Sequence, residues 1–283
     1  AGVGRRQVGS TVKPFLYTLA MENGMSPCDL APNVQQTYIV AGKPWTPRNG
    51  SRSRYGEMVT LKWGLAQSNN WISAYLMSRL LNRDIHPSMS LCLGPCEISV
   101  AEMVSSYTAF ANRGIRTAPL FVSRIEDNEG NVVGEFQPRM TEVISEESAY
   151  KMIIMLQGVM NGGTGGRMRF RYHVNADMGG KTGTTNRNSD GWFVCFTPSL
   201  SAGCWVGGED RDIHFNSMTY GQGASSALPV CAYFFQKVYK DKDLGYSPDE
   251  KFSIPEGFDP CQDTILTEEA PVEEYGGIDE VFE

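Results

Sequence analysis

Apolar residues recur at helical spacing through the first two thirds of the chain and gather into short unbroken runs in the last third. Thr11 to about Glu22 reads as a helix ended by Asn23-Gly24. Thr60 has the side chain of an N-cap for a short helix reaching Gln67, and after the polar break Ser68-Asn69-Asn70 helical spacing resumes from Trp71 to Leu81 through Ile72, Tyr75, Leu76 and Leu80. Ser68 is therefore expected at a helix-helix junction. Ser99 and Glu102 make a capping box for a face of Val100, Met103, Val104, Tyr107 and Ala111 that stops at Gly114. Ser145 to Asn161 predicts a further helix, closed by Gly162-Gly163, whose Met and Ile stripe is core.

The remaining runs follow strand rules. Phe121 to Ile125 and Val132 to Phe136 flank Asp-Asn-Glu-Gly-Asn131 and predict a hairpin. Residues 180–185, 191–197 and 202–206 are short β-prone runs separated by turn residues, so they read as three consecutive antiparallel strands. Ala227 to about Tyr239, with Val230, Tyr233, Phe234 and Val238, predicts a helix laid on that sheet. Helices before and after an antiparallel sheet give an α+β layered fold.

Composition changes this picture at one end. The chain has 283 residues, 41% of them hydrophobic, enough for a real core, and a formal charge of −7. Eight Asp or Glu and no Lys or Arg lie between Asp263 and Glu283, so the body is nearly neutral. The reading therefore assigns 1–252 to a folded domain and 253–283 to a solvated acidic tail. No long basic face exists to hold nucleic acid. No apolar run approaches the ~18 to 20 residues of a membrane span, so an anchor is expected outside this chain. Seven cysteines are too scattered for a disulfide scaffold, and their odd count leaves at least one free. Cys92 and Cys96 with three histidines complete no zinc pattern; Cys195 and Cys204, inside apolar runs, read as small buried hydrophobes.

The chemistry begins at Gly9-Ser-Thr-Val-Lys-Pro-Phe15. If Ser10 starts a helix, Lys13 rises one turn later on the same face and brings an amine toward the hydroxyl. A serine hydroxyl needs such a base, and a lysine serves only where burial or a second cation lowers its pKa. Pro14, lacking an N–H, would leave the Ser10 carbonyl without its usual helical partner. Ser-x-x-Lys alone is weak, since Ser148-Ala-Tyr-Lys151 repeats it and reads as polar surface in a first helical turn. Two later motifs set Ser10 apart: Ser68-Asn69-Asn70 is the only Ser-x-Asn and Lys181-Thr182-Gly183 the only Lys-Thr-Gly.

That ordered trio resembles the signature of the penicillin-binding protein and serine β-lactamase superfamily, with Asn69 where the pattern has Asp. Residues 5–15, 66–70, 107–112, 155–159 and 180–186 are similar to the transpeptidase domain of class A, bifunctional penicillin-binding proteins; the likeness covers about 4 to 240. It implies a penicillin-binding transpeptidase fold, an antiparallel sheet flanked by helices, with no cofactor and no metal. It implies that Ser10 attacks the carbonyl between the terminal D-alanines of a peptidoglycan stem peptide, that Lys13 takes its proton, and that Ser68 relays a proton to the leaving amine. Lys181 would keep Lys13 partly neutral, and Asn70 would hold the substrate amide. The N–H groups of Ser10 and Thr184 would form an oxyanion hole. Lys181, Thr182, Gly183 and Thr184 would form the carboxylate-binding strand that β-lactams also occupy.

Other chemistries lack their residues. A phosphate loop ahead of Lys181 wants glycine where Asn175 stands, Gly-x-Ser-x-Gly is absent, and the deacylating glutamate of a class A β-lactamase would fall on Ser78. A β-lactam-sensing receptor domain and a D,D-carboxypeptidase are the alternatives. The resemblance also implies sheet strands, a glycosyltransferase domain and an inner-membrane anchor upstream, with the catalytic domain on the periplasmic side. The strand at 202–206 is then expected to offer an edge to another polypeptide, an N-terminal fragment of the same protein or a neighbour.

Overall fold

A computed structural model describes residues 4–40, 42–81 and 89–262. The first helix forms in two steps. Gly9–Val12 is a 3-10 turn and Lys13–Glu22 is helix α1. Pro14 has no N–H to give, so the Lys13 N–H takes the Ser10 carbonyl instead, and the chain enters α1 through a tighter turn. The Ser10 carbonyl therefore has a partner, contrary to the sequence expectation.

Thr60 caps Leu61–Ala66 (α2), its hydroxyl accepting from Trp63 N–H at 3.2 Å. Helix Asn70–Leu81 (α3) follows a two-residue break-off from α2 and its cap, one residue earlier than its apolar stripe suggests. Val100–Ala111 (α4) carries the Ser99/Glu102 capping box, and Glu146–Asn161 (α5) is capped by Ser145. Short antiparallel pairs join these helices: Arg6–Gln7 with Glu97–Ile98, Leu30–Pro32 with Met58–Thr60, Tyr38–Val40 with Lys43–Trp45, and Ile115–Thr117 with Met140–Glu142. The 121–136 hairpin narrows to Arg124–Glu126 against Val132–Glu135.

The central sheet has strands Gly179–Thr184, Asp190–Phe196 and Ser201–Gly207 in that order, all antiparallel. Every residue of the middle strand is buried, and its alternation divides the core. Trp192, Val194 and Phe196 face a large cluster with Tyr17, Leu65, Ile72, Tyr107 and Leu156 from the five helices. Phe193 and Cys195 face a smaller one with Leu228, Cys231 and Phe235 of the helix Leu228–Lys240. The sheet is thus a wall between two apolar layers, and the third strand pairs on one edge only among the described residues.

The chain beyond 252 departs from the expected acidic tail. Phe252, Ile254 and Phe258 pack on the large cluster, with the Phe252 ring 5.7 Å from Phe196 and Phe258 5.5 Å from Tyr150. Cys261 is joined to Cys28 by a disulfide across 233 positions, and residues 253–262 lie on the body; 263–283 lie outside the described residues. The loop holding Cys28 also starts α2, since Lys62 N–H donates to Pro27 O and Leu61 N–H to Asp29 O. Cys195 is buried as expected, whereas Cys204 is only half-buried. Replacing Cys28 and Cys261 together by serine is expected to cost about 2–4 kcal/mol of stability, the usual worth of a disulfide that constrains the unfolded chain. Urea unfolding with and without reductant checks this; an unmoved midpoint would show that the bridge contributes nothing.

Among the described residues no helix is long and apolar enough to cross a membrane.

Candidate active site

Close backbone contacts bring the three motifs together. Gly9 has φ +54°, a value that favours glycine, and a Cβ there would meet Thr184 O at 3.0 Å. Across the same contact a Cβ on Gly183 would lie 2.7 Å from Val8 O. The turn carrying Ser10 is therefore pressed against the strand carrying Lys181 to Thr184. It is held from behind by Tyr107 Oη, which donates to Thr11 O at 2.8 Å, and by Trp192 Nε1, which donates to Gln7 O at 2.9 Å.

Ser68 occupies the junction between α2 and α3 with φ +53°, a left-handed conformation rare for serine. Its hydroxyl sits between two fully buried lysines. Lys181 Nζ donates to Ser68 Oγ at 2.8 Å, and Lys13 Nζ lies 3.4 Å from the same oxygen. Lys13 Nζ makes shorter bonds to Ser68 O at 2.7 Å and to Asn70 Oδ1 at 2.6 Å. Asn70 is oriented for this by its Nδ2, which donates to Arg48 O, and by its N–H, which donates to Asn49 Oδ1, each at 2.6 Å.

Asn69 explains the departure from Asp at the middle of the second motif. Its Oδ1 accepts from Trp71 N–H and Ile72 N–H, capping α3, while its Nδ2 donates to Asn33 Oδ1 at 2.7 Å. A carboxylate could serve the cap but would face an acceptor at Asn33, whose own Nδ2 is engaged with Ser53 O and Arg54 O.

Burial sets the protonation of the lysines. Removal from water draws Lys13 down to about 7. Cys92 is pushed up to about 12 by burial, so it stays a thiol. Lys181 is held well below its ordinary value, first by burial and then by the charge of Lys13. A neutral Lys13 keeps its two short hydrogen bonds with two N–H groups and retains one lone pair. The half-buried Ser10 hydroxyl makes no hydrogen bond among the described residues, so it is free to turn.

The site also contains residues that the motifs do not name. Thr182 Oγ1 donates to Thr164 Oγ1 at 2.7 Å, and Gly223 N–H donates to Thr184 Oγ1 at 3.0 Å. Thr164 stands in a glycine-rich stretch that reads in sequence only as a helix stop. The second Ser-x-x-Lys is not surface: Ser148 and Lys151 are both buried on α5, and Lys151 Nζ pairs with Glu147 at 2.7 Å.

The chain is similar to known proteins over most of its length. The family model of the penicillin binding protein transpeptidase domain matches residues 4–90 and 83–207. Penicillin-binding protein 1A of Aquifex aeolicus is 30% identical over 264 residues, covering 88% of this chain and 35% of that protein. The chain thus spans about a third of the length of the curated relatives it matches. The crystal structure of penicillin-binding protein 1A from Haemophilus influenzae superposes with a TM-score of 0.79 at 26% identity, over 90% of this chain and 45% of that one. The PonA1 protein from Mycobacterium tuberculosis in complex with penicillin V shares the fold, with a TM-score of 0.70 at 22% identity over 89% of this chain and 73% of that one. Matched across most of its length by that family model and holding all three motifs in one contact network, the chain belongs to the penicillin-binding protein transpeptidase family.

Proposed function

We propose that this chain catalyses D,D-transpeptidation, cross-linking peptidoglycan stem peptides through an acyl-enzyme on Ser10 and accepting β-lactams as covalent inhibitors. The observation that carries the reading is the Ser68 hydroxyl set between two buried lysines, one of them drawn to about 7. Lys13 takes the Ser10 proton, Ser68 passes it to the departing D-alanine amine, and the backbone N–H groups of Ser10 and Thr184 hold the developing oxyanion. Lys181, Thr182 and Thr184, with Gly183 allowing the close approach, receive the terminal carboxylate, while Asn70 orients the donor amide. No glutamate is assigned to activate a deacylating water, so an amine from a second stem peptide is the acceptor. We place the site on the extracytoplasmic side, with a glycosyltransferase domain and a membrane anchor in the longer protein.

The test offers a peptide ending in D-Ala-D-Ala together with a D-amino acid as acceptor, followed by mass spectrometry. Exchange of the terminal residue is the expected result. Release of D-alanine without exchange would convert the assignment to a D,D-carboxypeptidase. A stable β-lactam adduct with no turnover of peptide would make the chain a sensor.

A further inference from the structure

The segment Gly162-Gly-Thr-Gly-Gly166 ends α5, and its backbone is fixed against the end of α2. A Cβ on Gly163 would lie 2.3 Å from Ala66 O, and Thr164 N–H donates to that same carbonyl at 3.1 Å. Gln67 Nε2 reaches Gly162 O at 3.3 Å, and Gly165 N–H returns to Val159 O at 3.0 Å. The turn is thus clamped to the two residues that precede Ser68. From there the Thr164 hydroxyl meets the Thr182 hydroxyl at 2.7 Å.

We propose that Thr164 is a positioning residue that aims the Thr182 hydroxyl at the ligand's carboxylate and strengthens it as a donor. The proposal rests on the reading that Thr182 binds that carboxylate. Each threonine has one hydroxyl proton, and here Thr182 donates while Thr164 accepts. A carboxylate only accepts, so its arrival requires the pair to reverse: Thr164 donates to Thr182 Oγ1, and Thr182 turns its proton to the ligand. A hydroxyl that accepts one hydrogen bond while donating another is the stronger donor. Both residues are β-branched, so χ1 is restricted and the reversal needs only rotation of the two hydroxyls. Because Thr164 hangs on Ala66 O, the carboxylate strand and the Ser68 junction share one anchor.

The experiment is single-turnover acylation of the intact chain by benzylpenicillin and by its methyl ester. The variants are T164V, T164A, T164S, T182V and the double T164V/T182V. T164V and T164A are expected to raise the apparent dissociation constant for benzylpenicillin about tenfold, leaving the limiting acylation rate and the ester nearly unchanged. T164S restores binding, and the double variant is no worse than T182V, since Thr164 acts through Thr182. Equal weakening of acid and ester by T164V and T164A, or losses that add fully to T182V, would reduce Thr164 to a structural residue and overturn the proposal. A T182V variant that does not separate acid from ester would instead overturn the carboxylate role of Thr182, and the proposal with it.

Discussion

Replacing Ser10 by alanine is expected to abolish the covalent β-lactam adduct while leaving the fold intact. The hydroxyl is half-buried and has no hydrogen-bond partner among the described residues, so its removal leaves no donor or acceptor stranded. The backbone that shapes the turn is held by other atoms, Tyr107 Oη on Thr11 O and the Lys13 N–H on Ser10 O, and neither contact uses the serine side chain. Stability is therefore expected to change by less than about 0.5 kcal/mol. Acylation, by contrast, has no substitute nucleophile, and a loss of about 10⁴-fold or more is expected, as when a catalytic serine is removed elsewhere. The measurement is intact mass after benzylpenicillin, with the adduct mapped by digestion and thermal unfolding run in parallel. An undiminished adduct, or one on Ser148, would end the assignment. Ser148 is a poor candidate because the nearby Lys151 is bound by Glu147, which leaves no free amine to act as base.

Much of this site is legible in sequence because it is built where secondary structure changes. The polar break at 68–70 between two apolar stripes announces a junction, and the turn residues around 180–207 separate three strands that form as read. The left-handed backbone of Ser68 closes α2 in a Schellman turn, with Asn69 N–H donating to Gly64 O and Ser68 N–H to Leu65 O, and it is not legible because a serine stands where such a turn usually has glycine. Thr164 is hidden for a different reason: its chemistry comes from Thr182, 18 positions away, and the glycines around it read as punctuation. The C-terminal segment misleads by composition. The acidic run after Asp263 outweighs Phe252, Ile254 and Phe258, which are spaced too irregularly to show a helix or strand period yet pack on the core. No pattern short of the fold pairs Cys28 with Cys261, because the two are brought together only by the packing of everything between them. The three-residue strands between Leu30 and Thr60 are too short to show alternation.

Lys13→Ala is expected to slow acylation at saturating β-lactam by about 10²–10⁴-fold, the range of a lost general base. Lys181→Ala, in contrast, should mainly weaken binding of ligands that carry a carboxylate. Removing Lys13 also leaves Ser68 O and Asn70 Oδ1 without their short donor bonds, so unfolding is measured beside the kinetics. The pH dependence separates the chemical role from that structural one. Burial draws Lys13 from 10.5 to about 7 in the fold, and the neutral amine is the form with a lone pair for the Ser10 proton. The acylation rate of the unaltered chain is therefore expected to rise with pH through about 7 and level off above it. Stability moves in the same direction. Between about 7 and 10.5 the unfolded chain holds a proton on Lys13 that the folded chain has released, so stability rises with pH across that window. Below about 7 both states are protonated, and the cost of burying the ammonium is fully present. Lys13→Met has no charge to bury, so its stability relative to the unaltered chain should be highest below about 7 and fall as pH rises. An acylation rate that stays flat from about pH 6 to pH 9 in the unaltered chain, with Lys13→Ala still slow, would show that Lys13 shapes the site without serving as its base.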